Sequence, residues 1–269
     1  MSVLLVVILF VVAFVYFKWI RKLKVPKCNS VTLVSGGVKC GKSTFAVNLV
    51  LKEYKSRLRA WKFRRFFAKL FHLKFEVEKP LLYSNVPLNC EYYEVTREHL
   101  LRKVRFNYGS VVYLQESSFI ADSMLIKDSE VNMQLQFFVK LFGHESHGGF
   151  LVFDTHTISD NHFAIKRGLS EYFYIHHLVK IPFFVIAYCR ELTYSDDNSS
   201  VINVFNNDVE DSLKKVLISK KVWKKFDSYC YSYFTDDLPL VNVVGHNDDL
   251  KARYLVSFRK EFNVDFDKE

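Results

Sequence analysis

The sequence has few cysteines, and they form no pattern that binds a metal or builds a disulfide framework. There is no Cys-x-x-Cys pair, no Cys/His spacing typical of zinc sites, and no internal repeat or low-complexity tract. An odd, scattered set of cysteines is typical of reduced thiols in a cytosolic compartment. The five are Cys28, Cys40, Cys90, Cys189 and Cys230. With 269 residues and 49% hydrophobic content, the chain has enough material for one sizeable core.

Charge is absent from the start of the chain. Residues 2–17 are almost only Val, Leu, Ile and Phe, and with residues 18–20 they would form a helix roughly 28 Å long. A signal peptide is disfavoured because no positive region precedes the run and Tyr16-Phe17-Lys18-Trp19 is a poor cleavage site. We predict one transmembrane anchor at residues 1–24. The positive residues that follow it predict that the N-terminus lies outside and the body in the cytoplasm.

Positive charge is concentrated towards the N-terminal end. The net charge is +9, but residues 18–79 hold 17 Lys and Arg against 3 Glu, whereas residues 80–269 hold 21 against 26 Asp and Glu. The basic charge therefore does not belong to the whole surface. We expect an anionic neighbour near the N-terminal part, either lipid headgroups or nucleic acid.

Three of the nine glycines fall within one short stretch. Residues Gly36–Ser43 fit the pattern G-x-x-x-x-G-K-[ST]. A short β-branched apolar run at 31–35 precedes the stretch, and residues 43–51 follow it with apolar side chains at helical spacing. Glycines let consecutive backbone N–H groups face one anion, and the N-terminus of a helix adds its dipole. The stretch therefore predicts a phosphate-binding loop for a nucleoside triphosphate.

The loop predicts ATP and Mg²⁺ as cofactors. We expect the Lys42 ammonium to reach the β- and γ-phosphates and the Ser43 hydroxyl to hold Mg²⁺. Cys40 is interpreted as a small filler rather than a reactive thiol. Since Pro26 ends the anchor helix shortly before the first strand, we expect the ATP site to lie close beneath the membrane. The predicted nucleotide-binding residues are Gly36, Gly37, Val38, Lys39, Cys40, Gly41, Lys42, Ser43 and Thr44.

A basic and aromatic segment follows at residues 57–74. Its apolar positions 63, 66, 67, 70 and 71 give one helical stripe, and the basic residues lie mostly off that stripe. This pattern is typical of a helix in a membrane interface, which is the interpretation we favour. Nucleic-acid contact needs the same charges, and a plain amphipathic helix with a solvated face is the third alternative.

Strand and helix patterns alternate through the rest of the core. Strands are predicted at 81–87, 111–114 and 150–153, helices at 94–103 and 121–142, and further alternating elements at 158–169, 171–177 and 181–190. Alternation predicts an α/β fold with a parallel sheet covered by helices, and a ligand at the carboxyl ends of the strands. The predicted domains are the anchor at 1–24, a core at 28–190 with the basic and aromatic insertion at 57–79, and an extension at 191–269 packed on the core.

Hydrolysis of ATP needs one carboxylate for Mg²⁺ and usually a second that orients water. The strand at 111–114 ends in Gln115-Glu116, so Gln stands where Asp is usual, and we predict Glu116 as the catalytic base. Asp154, Thr155 and His156 follow the next strand and are predicted to sense the γ-phosphate. Two hypotheses remain for the metal: Asp154 reaches it together with Ser43, which we favour, or nothing compensates and turnover is slow.

The order of these pieces resembles the zonula occludens toxin-like family, the assembly ATPases of filamentous phages within the FtsK–HerA group. The matching pieces are Gly36–Thr44, the turn Leu82–Pro87, Gln115-Glu116 and Thr155-His156, within about residues 31–190. The resemblance implies a RecA-like P-loop NTPase fold and a homo-oligomeric ring, expected to be hexameric, in the inner membrane. It also implies extrusion of single-stranded phage DNA, with phage coat and exit-channel proteins as partners. Family members carry Asp where Gln115 stands, and they commonly place the membrane span after the ATPase domain.

A ring implies that a neighbouring subunit supplies an arginine to the γ-phosphate. Arg167 is the preferred candidate and Arg190 the other, because both lie near the ends of late core elements. Two other functions stay open. One is a DNA packaging or transfer motor of the FtsK–HerA type, and the other is a nucleotide-binding assembly scaffold with weak hydrolysis.

Overall fold

The structure is a computed structural model of the chain. It describes residues 6–8, 10–11, 14, 30–86, 88–95, 97–117, 129–158, 161, 163–181, 184–192, 213–226, 230–231, 241–242 and 259–260. Among these residues no helix is long and apolar enough to cross a membrane. The anchor predicted at 1–24 lies largely outside the described residues and stays a prediction.

Helices and strands alternate through the middle of the chain. The helices are α1 (Lys42–Leu70), α2 (Arg97–Leu100), α3 (Ser129–Glu145) and α4 (Phe163–Gly168), and a short 3₁₀ helix covers Lys220–Lys224. The strands are β1 (Val31–Gly36), β2 (Leu82–Ser84), β3 (Tyr92–Glu94), β4 (Val111–Leu114), β5 (Phe150–Thr155), β6 (Glu171–Lys180), β7 (Phe184–Leu192), β8 (Lys214–Ser219), β9 (Cys230–Tyr231), β10 (Val241–Asn242) and β11 (Arg259–Lys260). Residues 121–128 of the helix predicted at 121–142 lie outside the described residues.

Nine strands of the described part of the chain form one sheet, in the order β11-β3-β2-β4-β5-β1-β6-β7-β8. All neighbours from β3 to β6 run parallel, which confirms the α/β fold with a largely parallel sheet. Strand β5 lies between β1 and β4 and pairs with both. The carboxyl ends of β1, β5 and β4 therefore meet at one edge of the sheet.

The sheet is not parallel throughout, and in this respect the prediction was wrong. β6 pairs antiparallel with β7, and β7 pairs antiparallel with β8. Residues 181–183 alone connect β6 to β7, and the Ile181 N–H donates to the Phe184 carbonyl over 2.8 Å. A parallel pair needs a crossover of about a dozen residues or more, so a connection this short forces a hairpin.

Two apolar layers cover the sheet, because successive side chains of a strand point to opposite faces. On β4, Val111 and Tyr113 join the layer under α1, whereas Val112 and Leu114 join the layer under α3. The first layer contains Phe45 and Leu49 of α1. The second contains α3 residues spaced three or four positions apart, namely Leu135, Phe138, Val139 and Phe142. Both faces are thus closed by helices, as the sequence predicts.

Helix α1 is longer than predicted. The helix after the phosphate loop continues without a break through most of the basic and aromatic segment to Leu70. Its 29 residues span roughly 44 Å at ~1.5 Å per residue, about twice the length of β1. Residues 44–51 are buried against the sheet, and most residues from 52 onwards are exposed.

The phosphate loop lies at the far end of β1 from the N-terminal segment. Residue 30 precedes β1 at the amino edge of the sheet, and the loop follows β1 at the carboxyl edge. The two edges are about 20 Å apart, because a strand rises roughly 3.3 Å per residue over six residues. The phosphate loop and residue 30 therefore lie at opposite edges of the sheet. The expectation of an ATP site close beneath the membrane stays a prediction.

Candidate active site

The phosphate loop contains two glycines that no other residue can replace without strain. A Cβ at Gly36 would lie 2.5 Å from the Cys40 sulfur and 2.7 Å from the Ile175 carbonyl oxygen. Gly41 has a φ of +92°, and a Cβ there would lie 2.1 Å from a methyl carbon of Leu178. The loop therefore packs directly on β6, which explains the glycine pattern in terms of space as well as backbone freedom.

These contacts predict that Gly41→Ala damages the loop and Gly37→Ala does not. At Gly41 the side chain of Leu178 can move, but the left-handed backbone still disfavours an L residue by roughly 1–2 kcal/mol. At Gly37 an added Cβ meets no atom within 4 Å. We expect Gly41→Ala to lower both the melting temperature and the affinity for labelled ATP, with Gly37→Ala close to the parent protein in both. Equal losses in the two variants would contradict this packing.

Cys40 links the phosphate loop to the apolar core. Its side chain is half-buried and packs against the apolar layer that contains α1. Burial raises the pKa of the Cys40 thiol, although the nearby Lys42 acts in the opposite direction. A thiol with a raised pKa is a poor nucleophile, which favours the filler interpretation.

A cavity of about 510 Å³ opens at the N-terminus of α1, within the usual range for ligand sites. The first turn of α1 has no acidic residue, so nothing there offsets the positive end of the helix dipole. The cavity is lined by Val38, Lys39, Gly41, Lys42, Ser43, Thr44, Gln115, Glu116, His156 and Phe226. Six of these ten belong to the predicted nucleotide-binding set, and Glu116 and His156 are also predicted site residues.

Three side chains from three elements meet in this cavity. The Lys42 ammonium lies 2.5 Å from Glu116 Oε1, and both side chains are largely buried. His156 Nε2 lies 3.4 Å from the Lys42 nitrogen and 3.4 Å from the same Glu116 oxygen. Glu116 thus pairs with the lysine that the loop pattern assigns to the phosphates. A phosphate that binds the Lys42 ammonium competes with the Glu116 carboxylate for it.

Several buried polar atoms around the cavity have no hydrogen-bond partner among the described residues. They are Gln115 Oε1, Glu116 Oε2 and His156 Nδ1. Such atoms are rare in folded proteins and usually mark a missing ligand or water. Their residues line a cavity that also offers an ammonium, a hydroxyl and the N-terminus of a helix. The residues present therefore fit a nucleoside triphosphate with a hydrated cation.

Asp154 lies behind the cavity and not at its surface. It is fully buried, its Oδ2 accepts the Tyr113 hydroxyl over 2.8 Å, and its Oδ1 accepts the Glu116 N–H over 2.8 Å. Burial raises the pKa of the Asp154 carboxyl, while Lys42 lowers it. Both oxygens are occupied, so the geometry supports a role in positioning Glu116. Direct binding of Mg²⁺ by Asp154 stays a prediction.

Tyr113 holds one carboxylate oxygen of Asp154. Its hydroxyl donates to Asp154 Oδ2 over 2.8 Å. Burial, together with Asp154, raises the pKa of the Tyr113 hydroxyl, so it remains a donor. Of the two predicted metal residues, Ser43 lines the cavity and Asp154 lies behind it.

The residues next to Asp154 separate into two groups. His156 lines the cavity, as predicted for a γ-phosphate sensor. Thr155 is buried, and its hydroxyl donates to the Thr157 carbonyl over 3.2 Å, within its own loop. Nothing places Thr155 at the cavity.

Asn85 holds the end of β4 in place. Its side-chain nitrogen donates to the Gln115 carbonyl over 3.0 Å, and its side-chain oxygen accepts the Gln115 N–H over 2.8 Å. These two hydrogen bonds fix the backbone just before Glu116. The φ of Glu116, +49°, is unusual for a residue other than glycine. The turn after β2, which contributes to the family resemblance, thus has a structural reason to carry Asn.

The two candidate arginines lie outside the cavity. Arg167 is exposed near the end of α4, and Arg190 is buried on β7 opposite Tyr174. An arginine that acts on a neighbouring subunit must be accessible, so exposure favours Arg167 over Arg190. A role in trans stays a prediction for both.

Sequence reasoning missed Phe226 and Tyr113. Phe226 lines the cavity from a segment that returns beside residue 88, far along the chain from the loop, and no local pattern indicates this. Tyr113 is the polar member of an otherwise aliphatic strand directly before Gln115, which was an available signal for a site residue.

Neither a protein-family model nor a curated protein matches the chain. Several solved structures do. The chain is similar to the N-terminal domain of zonular occludens toxin from Neisseria meningitidis. The two share 12% identity with a TM-score of 0.44, over 75% of this chain and 100% of that domain.

Two further structures resemble this chain. The genome packaging NTPase B204 from Sulfolobus turreted icosahedral virus 2, in complex with ATP-gammaS, shares 11% identity with a TM-score of 0.34, over 62% of this chain and 98% of that one. EssC (ATPases 2 and 3) from Geobacillus thermodenitrificans shares 12% identity with a TM-score of 0.36, over 64% of this chain and 41% of that one. These neighbours include the toxin family named from the sequence. Similarity at this level carries no argument about function.

Proposed function

We propose that this chain is an ATPase that binds MgATP at the loop 36–43 and uses Glu116 to activate water. The observation that carries the proposal is the contact of 2.5 Å between Lys42 and Glu116, in the cavity that the phosphate loop lines at the N-terminus of α1. A buried lysine beside a helix N-terminus can bind a polyanion, and a carboxylate next to it can hold a water close to that polyanion.

Each residue of the site has a role that follows from its position. The loop N–H groups and Lys42 bind the β- and γ-phosphates, and Ser43 and Gln115, which line the cavity, would hold Mg²⁺. A bound Mg²⁺ would neutralise charge on the phosphates. Once the phosphates compete with Glu116 for Lys42, the Glu116 carboxylate accepts a proton from the water that attacks the γ-phosphorus, and the bond to ADP breaks. Asn85 holds the Gln115 backbone, Asp154 holds the Glu116 N–H, and His156 contacts the γ-phosphate side.

The wider function that we propose is the assembly and extrusion of filamentous phage. In this proposal the chain is anchored in the inner membrane by residues 1–24, with the N-terminus outside, and forms a ring, expected to be hexameric. Its partners are phage coat and exit-channel proteins and single-stranded DNA. The support is the order of sequence pieces shared with the zonula occludens toxin-like family, from Gly36–Thr44 to Thr155-His156.

A second candidate is a nucleotide-binding scaffold. It is favoured by Gln115, which faces the cavity where a metal-binding carboxylate is usual and offers only a neutral oxygen. Steady-state phosphate release by the full chain in detergent separates the two functions. We expect release that single-stranded DNA stimulates more than double-stranded DNA. Stimulation by the duplex alone would favour a packaging or transfer motor, and no release with ATP bound would favour the scaffold.

The position of Gln115 predicts that Gln115→Asp raises the hydrolysis rate. A carboxylate at this place faces the cavity and supplies the missing metal contact, and ligand-supporting residues change activity by roughly 10- to 100-fold. Asp154→Asn should lower the rate less than Glu116→Gln does, because the Asn oxygen can still accept the Glu116 N–H while its amide nitrogen donates to the Tyr113 hydroxyl oxygen. This expectation replaces the preference drawn from sequence for Asp154 as the compensating ligand. An inactive Asp154→Asn together with an unchanged Gln115→Asp would restore that preference.

A further inference from the structure

The last ten residues of α1 and the five residues that follow extend beyond the body of the protein. We call residues 61–75 the arm. Its base is fixed at the amino edge of the sheet. Arg57 donates to the carbonyls of Gly109 and Gly148, which precede β4 and β5. Trp61 Nε1 donates to the Val77 carbonyl over 2.9 Å. Beyond this base, every residue of the helical part of the arm is exposed except Ala68.

One side of the arm carries an apolar stripe that no described residue covers. The stripe consists of Phe63, Phe66, Phe67, Leu70 and Phe71, which are 64%, 61%, 38%, 57% and 63% exposed. Their spacing of three and four places them on one helix face. Trp61 and Ala68 occupy the opposite side, where Trp61 contacts Phe75 at a ring distance of 5.9 Å. The stripe therefore faces away from the body, and a contiguous exposed patch of this kind marks an interaction surface.

Positive charge flanks the stripe. No acidic residue occurs between Glu53 and Glu76, and five exposed basic residues lie within the arm. These five are Lys62, Arg64, Arg65, Lys69 and Lys74. Among the contacts described, Lys74 is the member that pairs with a carboxylate, that of Glu76. A partner that fits both features needs an apolar interior for the stripe and an anionic surface for the basic residues.

The arm lies at the edge of the sheet where the N-terminal segment joins the core. Ser30, directly before β1, is at the amino edge, and so are the carbonyls that hold Arg57. The predicted anchor at 1–24 joins this edge through only a few residues. A membrane that holds the anchor would therefore face the arm and not the ATP site.

We propose that the arm docks on an anionic lipid bilayer, with the stripe in the acyl boundary and the basic residues at the headgroups. Nucleic acid fits less well for two reasons. The rings of the stripe contact one another, at 4.5 Å for Phe63–Phe67 and 6.0 Å for Phe67–Phe71, which leaves no room for a base between them. Exposed Leu70 and Leu73 have no ring on which a base could stack. Because Lys42 begins the same helix, docking joins the bilayer to the phosphate loop through one continuous element.

The test places a reporter in the stripe of the full-length chain. Tryptophan fluorescence of the Phe66→Trp variant is measured in vesicles of brominated phosphatidylglycerol or brominated phosphatidylcholine. The fluorescence of the parent protein, which contains three other tryptophans, is subtracted. We expect strong quenching in the anionic vesicles, weak quenching in the neutral ones, and loss of quenching at high salt. Retained binding of labelled ATP confirms that each variant is folded.

Two sets of charge variants sharpen the test. Lys62→Gln/Arg64→Gln/Lys69→Gln should weaken docking about a hundredfold, since each basic residue near an anionic surface is worth roughly fivefold. The matched control, Lys215→Gln/Lys220→Gln/Lys221→Gln, removes three exposed lysines of β8 and the 3₁₀ helix and should leave quenching unchanged. Absent quenching in anionic vesicles, or equal quenching in both lipids, overturns the proposal. So does an emission change produced by a single-stranded oligonucleotide, or by protein concentration alone, without a response to lipid.

Discussion

Lys42→Ala is expected to weaken ATP binding by roughly 10- to 150-fold, from the ~1.5–3 kcal/mol that a hydrogen bond to a charged group contributes. The loss includes a second component. Without the ammonium, the Glu116 carboxylate loses its ion pair, keeps His156 Nε2 at 3.4 Å as a neighbour, and repels the phosphates. Titration with labelled ATP measures the effect. Lys55→Gln serves as the matched control, because Lys55 is an exposed lysine of the same helix that does not line the cavity, and we expect it to change affinity little.

A double variant separates the two components of this loss. If repulsion by Glu116 contributes, Lys42→Ala combined with Glu116→Gln should bind ATP more tightly than Lys42→Ala alone. Unchanged affinity in the Lys42→Ala protein would contradict nucleotide binding at this loop.

Glu116→Gln is expected to lower the hydrolysis rate by roughly 10²- to 10⁴-fold, the usual contribution of a general base. ATP should also bind more tightly, on the order of tenfold for ~1.4 kcal/mol, because Lys42 no longer has to leave a carboxylate. Rate and affinity therefore change in opposite directions. A residue that only supports the structure would not produce this combination.

Glu191→Gln is the matched control for this variant. It removes an exposed carboxylate that pairs with Lys214 away from the cavity, so rate and affinity should both stay close to the parent protein. Parallel losses of rate and affinity in Glu116→Gln would show that Glu116 acts on folding or on the shape of the loop.

The sequence determined the parts of the fold that rest on local pattern. Gly36–Ser43, with its apolar run before and helical spacing after, predicted the strand, loop and start of α1. The alternation around 111–114 and 150–153 predicted the parallel centre of the sheet. Glu116 and His156 were predicted as site residues because they follow parallel strands whose ends meet at one edge.

The rest depended on contacts between distant residues. The hydrogen bonds of Asp154, to the Tyr113 hydroxyl on the neighbouring strand and to the Glu116 N–H, have no signal in the local sequence. Phe226 reaches the cavity only through the return of the chain beside residue 88. The hairpin of β6 and β7 could have been predicted from the sequence, since a connection of three residues is too short for a parallel crossover.

Single-turnover phosphate release, with the full-length chain in excess over labelled ATP, tests most directly whether the Lys42–Glu116 site hydrolyses nucleotide. We predict that the parent protein converts its bound ATP to ADP and phosphate, while Glu116→Gln holds the same amount of ATP unhydrolysed. Bound ATP that stays intact in the parent protein, or equal release rates in the two proteins, would contradict the proposed role of Glu116.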